Sequence, residues 1–164
     1  MKLQTVVITL LLSCLSFTAA HISASSSFHD VKSQLLLLVA ADNSSVKSVE
    51  NLLKKGVDPN TLNAWGYTPL YCAARNGCTK TLNLLIEHGA DINMQVKDGS
   101  TPLHIATLSE KSEIVKALLE NGADLNILDN DGNKALDIAV EEEDAEIVKI
   151  LKEAAIVNIK PAKR

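Results

Sequence analysis

The amino-acid sequence predicts an all-α fold, a solenoid of stacked helix–turn–helix units joined by hairpin-like finger loops. Two observations carry that expectation. Glycine recurs at a step of 33 residues, at Gly66, Gly99 and Gly132 and again at Gly56, Gly89 and Gly122, and Asn60, Asn93 and Asn126 keep the same step. The apolar residues fall into columns with that period: Leu37, Leu70, Leu103 and Leu136; Ala40, Ala73, Ala106 and Ala139; Val49, Leu82, Val115 and Val148; Leu52, Leu85, Leu118 and Leu151. Independent series phased to one period mark units that bury their apolar faces only against neighbours. Function is then expected on a repetitive surface and not in one deep pocket.

Laid at this step, the chain divides into units of about 31–63, 64–96, 97–129 and 130–161. Leu70, Ala73 and Ala74 share one helical face, and Leu82, Leu85 and Ile86 share another, so each unit holds two short helices. Thr68-Pro69 and Thr101-Pro102 place a hydroxyl cap before a proline at the first helical turn, where the missing N–H costs nothing. Gly89 and Gly122 end second helices in the left-handed conformation. The stretches Asp91–Gly99 and Asp124–Gly132 then form tight turns. The Ala column lets layers approach closely. The end units depart from the pattern. The first has Leu35-Leu36-Leu37-Leu38 where a cap and proline are due, and the last carries Lys152 where inner units have Ile86 and Leu119. Glu110 and Glu143 stand where Gly77 makes the helix–helix turn, so those turns are expected to be less strained or differently shaped.

The strings "GYTPLYCAARNG…LLIEHGADIN" and "GSTPLHIATLSE…ALLENGADLN" closely resemble the ankyrin repeat in period, T-P-L-H-x-A string and the G-A-D-x-N turn. The resemblance covers about residues 31–161. It implies helix–turn–helix layers stacked in register, β-hairpin fingers projecting at one edge, and a concave face lined by the fingers and first helices.

Ahead of the repeats, residues 1–20 read as an export signal: Lys2, the apolar stretch Val6–Leu15, and the small residues Thr18-Ala19-Ala20. The apolar run is short for a membrane span, so an uncleaved anchor and a lipoprotein site at Cys14 are the weaker alternatives. The mature chain is expected to start near His21, with a leader at 21–30 and a basic tail at 162–164. Losing Lys2 moves the balance from 16 basic against 20 acidic residues to 15 against 20, a net −5. That field excludes nucleic acid as a partner. Export is expected to deliver the protein to the periplasm or beyond, with no stable membrane span after cleavage. Asn43-Ser44-Ser45 is a glycosylation sequon if the source glycosylates exported proteins. Cys72 and Cys78 could be oxidised outside the cytoplasm, but their spacing across a helix–turn–helix makes a strain-free bridge doubtful.

Candidate chemistry reduces to structure at most positions. His104 in "TPLH" resembles a histidine that bonds within its own turn. His88 precedes a helix stop and interacts with the helix dipole, while His21 and His29 lack a third ligand at metal spacing. "DNDGNKALDIAVEE" fails as a calcium loop, because Ile127 and Ile138 would fall at its first and last ligand positions. Cys72 aligns with Val39, Ile105 and Ile138 and reads as packing. Cys78 opens a second helix without a base nearby. No nucleophile elbow, phosphate loop or zinc-protease pair occurs. No cofactor, metal or catalytic residue is expected, and the protein is read as no enzyme.

The expected function is an exported protein–protein interaction module, a monomer that binds another protein on its concave face. By resemblance, the variable positions are Ala64, Trp65, Tyr67, Arg75 and Asn76, then Lys97, Asp98, Ser100, Leu108 and Ser109, then Asn130, Asp131, Asn133, Glu141 and Glu142. Trp65 and Tyr67 are large aromatics of the kind that anchor interfaces, although Trp65 could instead cover the first layer. The surface runs from aromatic and mildly basic to acidic at Glu141–Asp144, a gradient that orients an asymmetric partner. The alternative is a periplasmic or envelope assembly or stress-protection factor for a secreted enzyme.

Overall fold

A computed structural model of the protein describes residues 31–159, with side chains to Ile156. The expected signal, leader and basic tail lie outside the described residues. Within them there are eight helices and no strand. Helix α1 covers 31–42, followed by α2 (Val46–Lys54), α3 (Pro69–Asn76), α4 (Thr79–Glu87), α5 (Pro102–Leu108), α6 (Ser112–Glu120), α7 (Ala135–Glu141) and α8 (Ala145–Ile159). Within each later pair the two helices pack together, α3 on α4, α5 on α6 and α7 on α8. The first helices also stack on one another as α3–α5–α7, and the second helices as α2–α4–α6–α8. This is an all-α repeat solenoid.

The core lies between layers. Ala73, Ala106 and Ala139 are completely buried, and so are Val49, Leu82, Val115, Leu85 and Leu118. Each fully buried Val or Leu contributes about 1.5–3 kcal/mol. The alanines have a second task that composition does not show. The carbonyls of Ala40, Ala73, Ala106 and Ala139 accept the N–H of Ser45, Cys78, Lys111 and Asp144 at 2.8, 3.1, 2.9 and 3.1 Å. That bond needs a left-handed residue just before the donor. Gly77 supplies it with φ 74°, but Ser44, Glu110 and Glu143 adopt it too, with φ 54°, 55° and 57°. The expectation of a differently shaped turn at the two glutamates is therefore corrected. The tertiary requirement for this bond overrides local preference, at a strain of about 1 kcal/mol per non-glycine residue.

The caps follow the sequence. Thr68 Oγ1 accepts the Tyr71 N–H at 3.0 Å. At the next layer His104 Nδ1 accepts the Thr101 N–H at 3.1 Å. The last layer has no hydroxyl cap, and Asp137 accepts the Lys134 N–H instead, at 2.9 Å. Second helices close with left-handed Gly56, Gly89 and Gly122. Lys152 is exposed on α8, a charged finish to the last layer.

Two features differ from expectation. The fingers are not strands. Each is one turn closed by two backbone bonds: Gly66 N–H to Asn63 O with Asn63 N–H to Tyr67 O, then the same pair at 96–100 and at 129–133. The first layer shows no finger among the described residues. A 33-residue register would start its first helix at 36, yet α1 is helical from 31. Ser33 stands where Gly66, Gly99 and Gly132 turn the chain, so nothing breaks the helix there.

The asparagine column joins layers. Asn60 Oδ1 accepts the Asp91 N–H at 2.7 Å and Asn60 Nδ2 donates to Gly89 O at 3.1 Å. Asn93 Oδ1 accepts the Asp124 N–H at 2.9 Å. Among the described residues Asn126 accepts no backbone N–H from the next layer: it bonds Asp124 of its own layer and meets only the Lys134 side chain of the next, at 3.5 Å.

Two predictions follow from this geometry. Asn93→Ala lowers unfolding stability by about 1 kcal/mol, while Asn126→Ala costs roughly half or less; equal losses in urea denaturation would remove the interlayer role. Glu143→Gly relieves left-handed strain and raises stability by about 0.5–1 kcal/mol, and an unchanged or lower urea midpoint would contradict it.

Candidate functional site: the concave face

The three fingers, 63–67, 96–100 and 129–133, project side chains at equivalent positions. Ala64, Lys97 and Asn130 form one row, Trp65, Asp98 and Asp131 the next, and Tyr67, Ser100 and Asn133 a third. Where the first helices end, Asp42, Arg75, Leu108 and Glu141 form a further row beside Asn43, Asn76, Ser109 and Glu142. None of the fifteen residues singled out from sequence is buried. Tyr67, Arg75, Ser100, Ser109 and Asn133 are half-buried, and the other ten are exposed.

Hydrogen bonds hold the fingers in register. Lys97 Nζ donates to Ala64 O at 3.0 Å, and Asn130 Nδ2 donates to Lys97 O at 3.0 Å. Asn130 N–H also donates to Asp98 O at 3.0 Å. Gly99 is required at this crossing for two reasons. Its φ is 78°, and a Cβ there would lie 2.7 Å from the Asn130 backbone nitrogen. Inside the fingers, Asn63 Oδ1 accepts the N–H groups of Trp65 and Tyr67 at 3.0 and 2.9 Å. Asp129 Oδ1 does the same for Asp131 and Asn133 at 3.0 and 2.8 Å. Val96 holds that position in the middle finger and cannot accept. Asp98 Oδ1 takes the Ser100 N–H at 2.9 Å, and Gln95 Nε2 ties Gly99 O to Leu128 O at 2.7 and 2.9 Å.

His104 serves the same frame. Its Nδ1 accepts from the Thr101 backbone, which leaves the hydrogen on Nε2, facing the carbonyl of Asn133 in the next finger at 3.2 Å. Tyr71 holds the equivalent place one layer earlier and stacks on Tyr67, with ring centroids 4.7 Å apart and planes 11° off parallel. Burial, with Asp98 adding to it, pushes the Tyr71 phenol up to about 12.

A groove opens at the N-terminal end of the face. Leu35, Leu38 and Val39 of α1 face Trp65 and Tyr67 of the first finger across a groove of about 380 Å³. Leu35 is 58 % exposed, Val39 48 % and Trp65 68 %. Asp42 and Arg75 close the groove as an ion pair at 2.6 Å. Asn76 Nδ2 adds a bond to Asp42 O at 2.6 Å, and the Arg75 guanidinium lies 5.8 Å from the Tyr67 ring centre. Trp65 thus lines an open groove and does not belong to the buried core cluster. Leu35, Leu38, Val39 and Asp42 were not among the residues singled out from sequence. Their i, i+3, i+4, i+7 spacing and the 33-residue step from Asp42 to Arg75 were the available signals.

The opposite end is acidic. Glu141 and Glu142 are exposed at the end of α7, while Asp144 is engaged in capping α8, with Oδ1 accepting the Ile147 N–H at 2.9 Å. Residues 129–144 hold Asp129, Asp131, Asp137, Glu141, Glu142, Glu143 and Asp144 against one cation, Lys134.

The two described cysteines are free, with Cys72 buried and Cys78 at the N-cap of α4. Burial, with the charge of Asp42, pushes the Cys72 thiol up to about 11. Burial also opposes ionisation of Cys78, but hydrogen bonds from the Thr81 hydroxyl and backbone outweigh it and lower its pKa. His88 Nδ1 meets Leu84 O at 2.9 Å at the end of α4. Among the described residues, no group of three His, Cys, Asp or Glu side chains is placed to hold a metal ion. No helix there is long and apolar enough to cross a membrane.

A family model described as ankyrin repeats (3 copies) matches the chain over residues 6–96, 36–129 and 91–161. The first match begins inside the stretch read as an export signal. No curated protein matches the chain.

Proposed function

We propose, from the premise that this chain belongs to the ankyrin-repeat family, that it is an exported, non-enzymatic module holding one partner protein on its concave face. Ankyrin repeats point to protein partners. The choice of face rests on one observation above the others: Trp65 stands two-thirds exposed over an apolar groove and has no packing duty in the core. Exposed aromatics beside an apolar recess are the residues that dominate interface energy. The hydrogen-bonded fingers add preorganisation, so the face loses little conformational entropy when a partner docks. Export rests on Lys2, the apolar stretch that follows it and the small residues before His21.

The aromatic pair of the finger divides into two roles. Tyr67 is half-buried against Tyr71, so its truncation lowers stability as well as contact. Trp65 is the cleaner probe. Trp65→Ala leaves thermal unfolding within about 0.5 kcal/mol of the parent and weakens capture of the native partner about tenfold or more. Undiminished capture would rule out this face, and a large loss of stability would return Trp65 to the core. Export is tested by mass spectrometry of protein recovered outside the producing cell. Its first residue is expected near His21; a chain retained in the cytoplasm with Met1 or Lys2 at its start would contradict export.

A further inference from the structure

The concave face differs sharply from end to end, and the difference specifies the chemistry of what it takes. At the N-terminal end the groove walls are leucine, valine, tryptophan and tyrosine. Its two charges, Asp42 and Arg75, neutralise each other at 2.6 Å. About 380 Å³ is open there, whereas about 150 Å³ suffices to hold a benzene molecule. At the C-terminal end Asp131, Glu141 and Glu142 are exposed, and none of them belongs to an ion pair among the described residues. The middle finger carries Lys97 beside Asp98 and is locally neutral.

We infer that the face, on the reading proposed above, accepts an extended protein segment with an apolar anchor side chain at one end and Lys or Arg at the other. The layer spacing sets the distance between the two. The first and third fingers are two layers apart, and packed helices lie 8–10 Å apart. The span is therefore roughly 20 Å, which an extended chain at about 3.3 Å per residue covers in about six residues. The anchor enters between Leu35, Val39 and Trp65, and the cations meet Asp131, Glu141 and Glu142.

Charge argues against two occupants, the leader and a second copy. The leader, residues 21–30, carries Asp30 and no Lys or Arg, so it offers nothing to the acidic end. A second copy of this chain brings a net charge of −4 toward an acidic face. An apolar segment without cations leaves three carboxylates without a counter-charge, and a purely basic one leaves the groove empty.

Trp65 is the only tryptophan in the chain, so its fluorescence reports on this groove alone. The probes are acetylated peptides with one leucine, a serine–glycine spacer of about six residues and two lysines, made in both directions along the chain. Controls replace the leucine or the lysines by serine. Calorimetry on the full chain gives affinities, and the Trp65 emission gives occupancy. The expected result is binding by the complete peptide in one direction, with Trp65 emission moving to shorter wavelength. Each control binds about tenfold more weakly or worse. Affinity falls as salt rises from 50 to 200 mM, and Glu141→Gln with Glu142→Gln removes most of that salt dependence.

Equal binding by the complete and lysine-free peptides overturns the inference, and so does the absence of binding by any peptide. Tighter binding by a peptide of residues 21–30 overturns it in favour of the leader. An emission shift that grows with protein concentration alone overturns it in favour of a second copy. Native partner capture separates the two levels. Capture that depends on Trp65 while the peptides fail sinks the stated chemistry and leaves the face in place. Capture indifferent to Trp65 removes the face itself.

Discussion

The close approach of neighbouring layers at the alanine column is the constraint from which the rest of the molecule follows. Ala73, Ala106 and Ala139 have no exposed surface, and their methyl groups leave room for the next helix to seat against them. A larger side chain there would push the layers apart at a cost of about 1–3 kcal/mol. The same residues anchor the backbone, because their carbonyls receive the N–H of the residue just before the following helix. One column thus sets both the spacing between layers and the turn within each layer. It also explains why two glutamates and a serine are held in a left-handed conformation that sequence alone assigns to glycine.

The row of fingers inherits its order from that spacing. Fingers that start one layer apart come within reach of each other, and the Ala64–Lys97–Asn130 chain of hydrogen bonds locks them into a row. His104 ties the first helix of one layer to the finger of the next through Asn133 O. What the row presents is a regular set of positions whose residue identities change from layer to layer. The stack fixes the backbone from which the row's side chains project, and a preorganised surface loses less entropy on contact.

Much of this was written in the sequence, and the exceptions have physical causes. Helix pairs, caps and core columns were legible because a 33-residue period repeats the same local signals in successive layers. The extension of α1 was not, because it replaces a motif instead of repeating one. Once the first layer lacks a glycine at Ser33, helix continues into space that a finger occupies elsewhere. That extension creates the apolar groove with Trp65, so the exposure of Trp65 could not be decided before α1 was placed. The interlayer role of Asn60 and Asn93 was hidden for a different reason. An asparagine in a turn has an adequate local explanation, and its partner lies about one repeat away, at Asp91 or Asp124. The acidic run at 141–144 looked uniform in sequence, yet the structure divides it into two exposed carboxylates, a strained turn residue and a helix cap.

The central claim is that the layers act as one body through the alanine contacts and that this body holds the face in shape. Native-state hydrogen exchange at the amides of Cys78 and Lys111 measures it directly, since both are bonded to carbonyls of the column, Ala73 and Ala106. If the layers form one cooperative unit, both amides exchange with the free energy of global unfolding, independent of which layer they occupy. Exchange of Lys111 by local opening, orders of magnitude faster than global unfolding allows, would show that the layers come apart singly and would contradict the account.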